Sequence, residues 1–268
     1  MNRDVKAVLQ GWAIVLLAAV VLWAIWGLDF QSLRPGAIAT STQWFFDNAF
    51  PLDWSILPEL GAGFVETIQI AILATLLGFA LALPLGILSS RNMFPRAAWV
   101  PRFIATSIRV MPSILWAIFA VILLGFGPLA GVIAMSLYTA GYLAKLQYEA
   151  FEGLPRDPFD AIRATGANRF QQTMHVMLPE AGNSLRSQLL FMFEYNIRSS
   201  TVIGLVGAGG IGQLLGTYMQ FYQYDRIMTL LLVLFIIVLA LDGISIALRR
   251  GFTELPDRPR MRDVITGK

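Results

Sequence analysis

Cysteine is absent from the sequence, and histidine occurs once, as His175. Without cysteine the chain has no disulfides, thiol nucleophiles or thiolate metal sites. A lone histidine and the lack of a carboxylate cluster leave little for acid–base or metal chemistry. No G-x-x-x-x-G-K-S/T motif occurs either, so the chain lacks an ATP site of that kind. These absences argue against an enzyme, and we expect no cofactor and no metal.

Charge is also scarce, because 14% of the residues are charged whereas 56% are hydrophobic, with a mean hydropathy of +0.64. This composition indicates an integral membrane protein, in which about 20 apolar residues suffice for each span. The net charge of +3 is no sign of nucleic-acid binding, because the basic residues cluster beside the apolar segments. We predict an all-α fold with six transmembrane helices, at about 11–28, 64–88, 103–126, 129–149, 185–206 and 227–248.

The first apolar run has a second interpretation. Basic residues precede it and Ala37-x-Ala39 follows it, as in a signal peptide. The run is long for a signal sequence and the small residues lie far beyond it, so we take it as the first span. An aromatic loop follows, part of which is expected to form a short interfacial helix. The chain then divides into an N-terminal span with an external loop (1–62), a transmembrane domain (63–250) and a tail (251–268).

The basic residues predict the orientation in the membrane. If the N-terminus is cytoplasmic, the outer side carries only Arg34 and Arg226, whereas most other basic residues lie on the inner side. Positively charged loops remain on the cytoplasmic side of membranes. We therefore expect both termini, and residues 151–179, in the cytoplasm of a multi-pass protein.

Residues 151–179 form a polar segment between long apolar runs. Asp157 has the spacing of a helix N-cap and Gly166 is a typical helix stop, whereas Asn168 repeats the start signal and Pro179 would end a second helix. The pattern predicts two short helices joined at Gly166. Helices of this length are unstable alone and must pack against something. An ordinary amphipathic connector is the alternative interpretation.

The fifth predicted span is unusually polar. Glu194 and Arg198 are four residues apart, so they share a helix face and can pair. Ions in a membrane must be paired or face a cavity, because their burial in lipid is costly. Two interpretations stay open: a structural ion pair, and the lining of a translocation path. In the same way Arg109 either extends toward the inner surface or faces the path. The candidate path residues are Glu194, Asn196, Arg198, Ser199, Thr201 and Arg109.

A glycine-rich stretch follows this span. Gly207-x-Gly209-x-x-Gly212 matches the dinucleotide-binding fingerprint, but that motif requires a βαβ unit, and here a membrane span precedes it. Glycine also lets backbones approach closely or turn within the membrane. We interpret Gly204, Gly207, Gly209, Gly210 and Gly212 as a gate or dimer contact, with tight helix packing and no gating role as the alternative.

The polar segment resembles the cytoplasmic loop of binding-protein-dependent ABC importer permeases, whose pattern is E-A-A…G…I-x-L-P. Asp160-Ala161, Gly166-Ala167 and Val176-x-Leu178-Pro179 carry the resemblance, with Asp160 in place of the usual glutamate. In that family the loop is a coupling helix that docks into the ATPase subunit. The resemblance implies coupling to the ATPase through Asp160, Ala161, Arg163, Gly166, Ala167, Asn168, Leu178 and Pro179.

The stretch from Glu194 to Gly212 narrows this resemblance, because it is similar to permeases of the phosphonate ABC transporter family. Similarity extends over about residues 63–250. It implies a phosphonate or a related oxyanion such as phosphite as cargo; another small solute, such as methionine, is the alternative, and a secondary transporter is less favoured. The implied partners are two ATPase subunits, an extracytoplasmic solute-binding protein, a second copy of the chain and the lipid of a bacterial inner membrane.

Overall fold

A computed structural model describes residues 3–27, 35–50 and 52–253. The described residues contain helices and no strand, and the chain divides into two compact units, Met1–Pro51 and Leu52–Lys268. In the first unit, α1 covers Arg3–Gly27 and α2 covers Pro35–Ala49. The predicted first span lies almost wholly within α1, although residue 28 is outside the described part. The predicted short helix in the aromatic loop corresponds to α2.

The second unit begins with a short 3-10 turn, Trp54–Ile56. Its helices are α3 Leu57–Ser89, α4 Trp99–Val110, α5 Ser113–Leu124, α6 Pro128–Glu152, α7 Asp157–Ala164, α8 Arg169–Gln172, α9 Leu178–Gly204, α10 Ile211–Gln220 and α11 Tyr224–Thr253. A π-helical turn, Thr173–Met177, joins α8 to α9 without a break.

Within the part of the chain that the structure describes, three helical segments are long and apolar enough to cross a membrane: Trp54–Ser89, Pro128–Glu152 and Tyr224–Ala247. Helices α4 and α5 meet at 86°, as a broken span or a re-entrant loop. The predicted span at 103–126, in which Pro112 was the expected kink, is therefore interrupted by a break between two helices. The cause is Pro112, which forces the preceding Met111 into an extended conformation with ψ of 127°. A simple kink was expected there, but the helix ends.

Small residues allow the helices of the second unit to pack closely. A Cβ atom at Gly78 of α3 would lie 2.5 Å from Thr139 of α6, and one at Gly141 would lie 2.9 Å from Ile108 of α4. Such close approach is the usual means of association for membrane helices, since lipid provides no hydrophobic driving force between them. Helix α6 therefore lies at the centre of the second unit, in contact with α3, α4, α5 and α9.

Candidate functional site

The polar segment folds as two short helices, as predicted. Helix α7 is followed by Gly166 at φ +82°, and α8 begins with a capping box between Asn168 and Gln171, in which each side chain accepts from the other residue's backbone amide. Asp157 is the first residue of α7 and Arg156 occupies the N-cap position, so the predicted cap was one residue out. Proline at position 158 still falls in the first turn, where no backbone hydrogen is needed.

The predicted helix end at Pro179 is wrong. The Leu178 amide donates to the Thr173 carbonyl, five residues back, and the chain continues directly into α9 with Pro179 in its first turn. A π-helical turn widens the helix, and proline has no amide hydrogen to leave unpaired. Helix α8 is thus continuous with the polar helix α9 through the π-helical turn.

The segment has a buried face and an exposed face. Phe159, Val176 and Met177 are buried against Phe151 at the end of α6. The predicted ATPase contacts Asp160, Ala161, Arg163, Gly166, Asn168 and Pro179 are exposed, whereas Ala167 and Leu178 are half-buried. Asp160 and Arg163 form an ion pair at 3.4 Å.

Two large apolar side chains also lie on the open side of the segment, where Phe170 is 68% exposed and Met174 is 41% exposed. Beside them is a depression of about 280 Å³ lined by Ile162, Thr165, Gly166, Ala167, Gln171 and His175. This surface, formed by α7, α8 and the π-helical turn, is called the coupling surface below.

A charged cluster that sequence reasoning missed lies at the start of the polar segment. Glu152, the last residue of α6, accepts a hydrogen bond from the Arg91 amide at 2.7 Å and pairs with the Arg102 guanidinium. Arg102 also donates to the Ser89 carbonyl at 2.7 Å and lies over the Tyr148 ring. The loop between α3 and α4 is thereby fastened to α6. Its members are far apart in sequence, so local spacing gave no signal.

The predicted pair on α9 is present, with Arg198 Nη2 at 2.8 Å from Glu194 Oε1. Arg198 has a second carboxylate that was not foreseen, since its Nη1 lies 3.5 Å from Asp242 Oδ1 on α11. The Glu194 side chain is 13% exposed and that of Arg198 is 45% exposed. One guanidinium therefore joins two helices through two acidic groups.

Asn196 occupies a different environment from Arg198. Its side chain is fully buried, and its amide nitrogen donates to Thr75 Oγ1 at 2.9 Å and to Thr139 Oγ1 at 3.0 Å. Asn196 thus connects α9 to α3 and α6. Of the other predicted path residues, Ser199 is half-buried and Thr201 is buried. Their path-lining role, like that of Asn196, stays a prediction.

Arg109 is half-buried in the last turn of α4. Between α6 and α9, three tyrosine rings stack on one another. The Tyr138 and Tyr195 rings stack at 5.7 Å, and their hydroxyl oxygens are hydrogen-bonded at 3.2 Å. Tyr142, one turn along α6, stacks on Tyr195 at 6.4 Å. Sequence reasoning missed this tyrosine group, although the four-residue spacing of Tyr138 and Tyr142 placed them on one helix face.

The glycine-rich stretch joins α9 to α10 through a tightly packed turn, in which Gly207, Gly209 and Gly210 have positive φ angles of 88°, 85° and 71°. The Gly207 carbonyl accepts from the Gly127 amide at 2.9 Å. A Cβ atom at Gly204 would lie 2.6 Å from the Gly209 carbonyl oxygen. Close packing within the chain is therefore observed, and the gate or dimer role stays a prediction.

Two α3 side chains that were not predicted as partners of this turn cap α10. Glu66 Oε1 accepts from the Gly210 amide at 3.2 Å, and Thr67 Oγ1 accepts from the Ile211 amide at 2.9 Å. Acidic and hydroxyl groups are favoured at a helix N-terminus, where backbone amides lack partners. No group of three histidine, aspartate or glutamate residues within the described part is placed to hold a metal ion.

Comparison with known proteins identifies the class. Residues 82–253 match the family of binding-protein-dependent transport system inner membrane components, and the chain belongs to that family. The fold is that of ABC importer permeases. It is similar to the MetNI methionine ABC transporter in an inward-facing form (TM-score 0.65, 23% identity, 75% of this chain and 99% of that one). It is also similar to a bacterial alginate ABC transporter (TM-score 0.62, 15% identity, 94% and 99%). Family membership implies an ATPase subunit and a solute-binding protein as partners.

Curated relatives define a narrower group. A putative phosphite transport system permease protein, HtxC of Stutzerimonas stutzeri, is 33% identical over 254 residues, 91% of this chain and 89% of that protein. The phosphite transport system permease protein PtxC of the same organism is 32% identical over 93% of this chain and 90% of its own length. The phosphate-import permease protein PhnE of Mycolicibacterium smegmatis is 34% identical over 70% of this chain and 36% of its own.

Proposed function

We propose that this chain is the membrane-spanning subunit of an ABC importer for phosphonate or a related phosphorus oxyanion such as phosphite. The assignment of the cargo rests on the 33% identity to a putative phosphite permease over 91% of the chain. The similarity includes the stretch from Glu194 to Gly212, on which the resemblance to phosphonate permeases rests.

ATP would be hydrolysed by a separate subunit that docks on the coupling surface. The surface combines an open ion pair, Asp160 with Arg163, with the exposed apolar side chains of Phe170 and Met174. Apolar anchors beside charged groups are typical of the centre and rim of a protein interface. Because α8 continues into α9, a pull on this surface would move the polar helix directly.

A homodimer would present two copies of the coupling surface to two ATPase subunits, as isologous association requires. Both termini would be cytoplasmic, on the same side as the ATPases, and a solute-binding protein would deliver cargo from the outside. The path would be lined by Glu194, Asn196, Arg198, Ser199 and Thr201 of α9, with Arg109 of α4. The glycine-rich turn would form its gate or the dimer contact.

Growth distinguishes the cargoes. A strain lacking this gene should not grow with phosphite or methylphosphonate as sole phosphorus source, and the intact gene should restore growth. Inorganic phosphate at high concentration is the control for viability. Normal growth of the deletion strain on both compounds, together with a defect in methionine uptake, would assign the chain to a different importer.

Docking of the ATPase can be tested at Gly166. Proline cannot adopt the φ of +82° found there, so Gly166→Pro should separate α7 from α8 and abolish co-purification of the ATPase, with membrane insertion intact. Asparagine tolerates this conformation, and nothing lies within 4 Å of a Cβ atom at this site. Gly166→Asn is therefore the matched control and should retain the complex. A stable complex with the proline variant would refute docking on this surface.

A further inference from the structure

We propose that a basic depression at the edge of the coupling surface binds the phosphate group of an anionic phospholipid of the cytoplasmic leaflet. The depression has a volume of about 380 Å³ and is lined by Phe94, Pro95, Arg96, Ala97 and Arg169. The first four residues belong to the loop between α3 and α4, whereas the fifth begins α8. This site goes beyond the proposed function, because it does not depend on which cargo is carried.

The two walls of the depression are held in place by one another. The guanidinium of Arg169 lies over the Phe94 ring, 5.6 Å from its centroid. Phe94 packs against an apolar cluster that includes the buried side chains of Met93 and Phe151. The Asn92 side chain also donates to the Phe151 carbonyl at 3.1 Å. The loop between α3 and α4 is thereby fixed against the coupling segment, so the depression between them is a built feature of the fold.

The depression carries positive charge without a balancing carboxylate. Arg96 and Arg169 are both exposed, and neither forms an ion pair with another described residue. No aspartate or glutamate is among the lining residues. A guanidinium group matches phosphate oxygens through two parallel hydrogen bonds, and basic pockets on the cytoplasmic side of membrane proteins bind anionic headgroups. An anion with phosphate oxygens therefore suits this lining.

The neighbouring residues favour a lipid as the source of that anion. Trp99, three residues after Arg96, is 70% exposed, and Phe103, one turn later on α4, is 69% exposed. Tryptophan is enriched where a membrane meets water. Arg102, between these two aromatic residues, pairs with Glu152 at the end of α6. The loop thus lies level with the point at which α6 ends, where lipid headgroups are expected.

Binding of phosphatidylglycerol to the purified permease–ATPase complex in detergent, followed by native mass spectrometry, tests the site. Arg96→Gln and Arg169→Gln should each weaken binding by about fivefold, as expected for one arginine near an anionic lipid, and the double variant by about twentyfold or more. Arg186→Gln is the matched control, since it removes an exposed positive charge on α9 outside the depression, and affinity should be unchanged. Phosphatidylcholine, which has no net charge, should bind all four variants equally.

A second measurement tests the level of the loop in the membrane. Because the chain has no cysteine, Trp99→Cys provides a single attachment point for a nitroxide label. In vesicles of phosphatidylglycerol and phosphatidylcholine, oxygen should relax this label more than a water-soluble nickel complex does. Stronger relaxation by nickel would place Trp99 in water and overturn the proposal.

The remaining outcomes separate a lipid from other anions. Equal affinity for phosphatidylglycerol in the double variant and in Arg186→Gln overturns the site. Displacement of the lipid by sodium phosphate, but not by sodium chloride of the same ionic strength, would assign the depression to a soluble anion instead. The ATPase should co-purify normally with Arg96→Gln, which also reports that this variant is folded. Loss of the ATPase with unchanged lipid binding would assign the depression to the ATPase interface and overturn the lipid site.

Discussion

Asn196 offers a direct test of whether the polar residues of α9 hold helices together or face the cargo. The change Asn196→Ala removes two interhelical hydrogen bonds, to Thr75 at 2.9 Å and to Thr139 at 3.0 Å. Thr75 keeps its bond to the Ala71 carbonyl at 2.6 Å. Thr139 loses its partner on α9 while fully buried.

The magnitude follows from these contacts. Interhelical hydrogen bonds in membrane proteins contribute about 0.6 kcal/mol each, so the two amount to about 1.2 kcal/mol. A buried hydroxyl left unpaired costs about 1 kcal/mol more at the low end of the usual range. The free energy of unfolding should therefore fall by about 2 kcal/mol. The measurement is reversible unfolding of the purified protein in mixed detergent, followed by far-UV circular dichroism.

The double variant Asn196→Ala with Thr139→Val should be less destabilised than the sum of the single variants, because the unpaired hydroxyl is removed as well. Thr201→Val is the control: its buried hydroxyl has no hydrogen-bond partner among the described residues, so the change should be within about 0.5 kcal/mol. Unchanged stability of Asn196→Ala together with loss of transport would refute the structural role and favour a path residue.

Two further predictions concern the second unit. Gly212→Ala should prevent folding, because a Cβ atom there would overlap the backbone of α9. Gly61→Ala should be tolerated, because nothing lies within 4 Å of a Cβ atom at that position. The yield of folded protein in size-exclusion chromatography distinguishes the two variants. Hydrogen bonds from Ser55 and the ion pair with Arg226 lower the pKa of Asp53 from its ordinary 3.8. This stabilisation is complete above pH 3.8 and is lost as pH falls through the lowered pKa of Asp53. Asp53→Asn should therefore remove an acid-induced loss of stability that wild type shows below about pH 4. An equal loss of stability at low pH in Asp53→Asn would contradict this prediction.

Local signals predicted the features that depend on neighbours in sequence. The capping box at Asn168, the joint at Gly166 and the Glu194–Arg198 pair each involve residues within four positions of one another, and all are present. The effects of two proline residues on the helices were predicted incorrectly. Pro112 separates α4 from α5, whereas Pro179 lies in the first turn of α9, directly after a π-helical turn and with no break.

Contacts between distant segments could not be predicted from spacing. Asp242 joins Arg198 from another helix, and Tyr138 meets Tyr195 across the packing of α6 on α9. The register between helices decides such pairs, and it is determined by small residues such as Gly141 fitting against a neighbour. The polar side chains of α9 were visible in the sequence, but their division into buried and open positions was not.

The fully buried Asn196 side chain opposes the insertion of α9 into lipid unless its amide finds hydrogen-bond partners. The order of synthesis makes these hydrogen-bond partners available to α9. Helices α3 and α6, which carry the threonines bound by Asn196, emerge from the ribosome before α9 does. When α9 enters the membrane, the threonine hydroxyls that accept from the Asn196 amide are therefore already present in the chain.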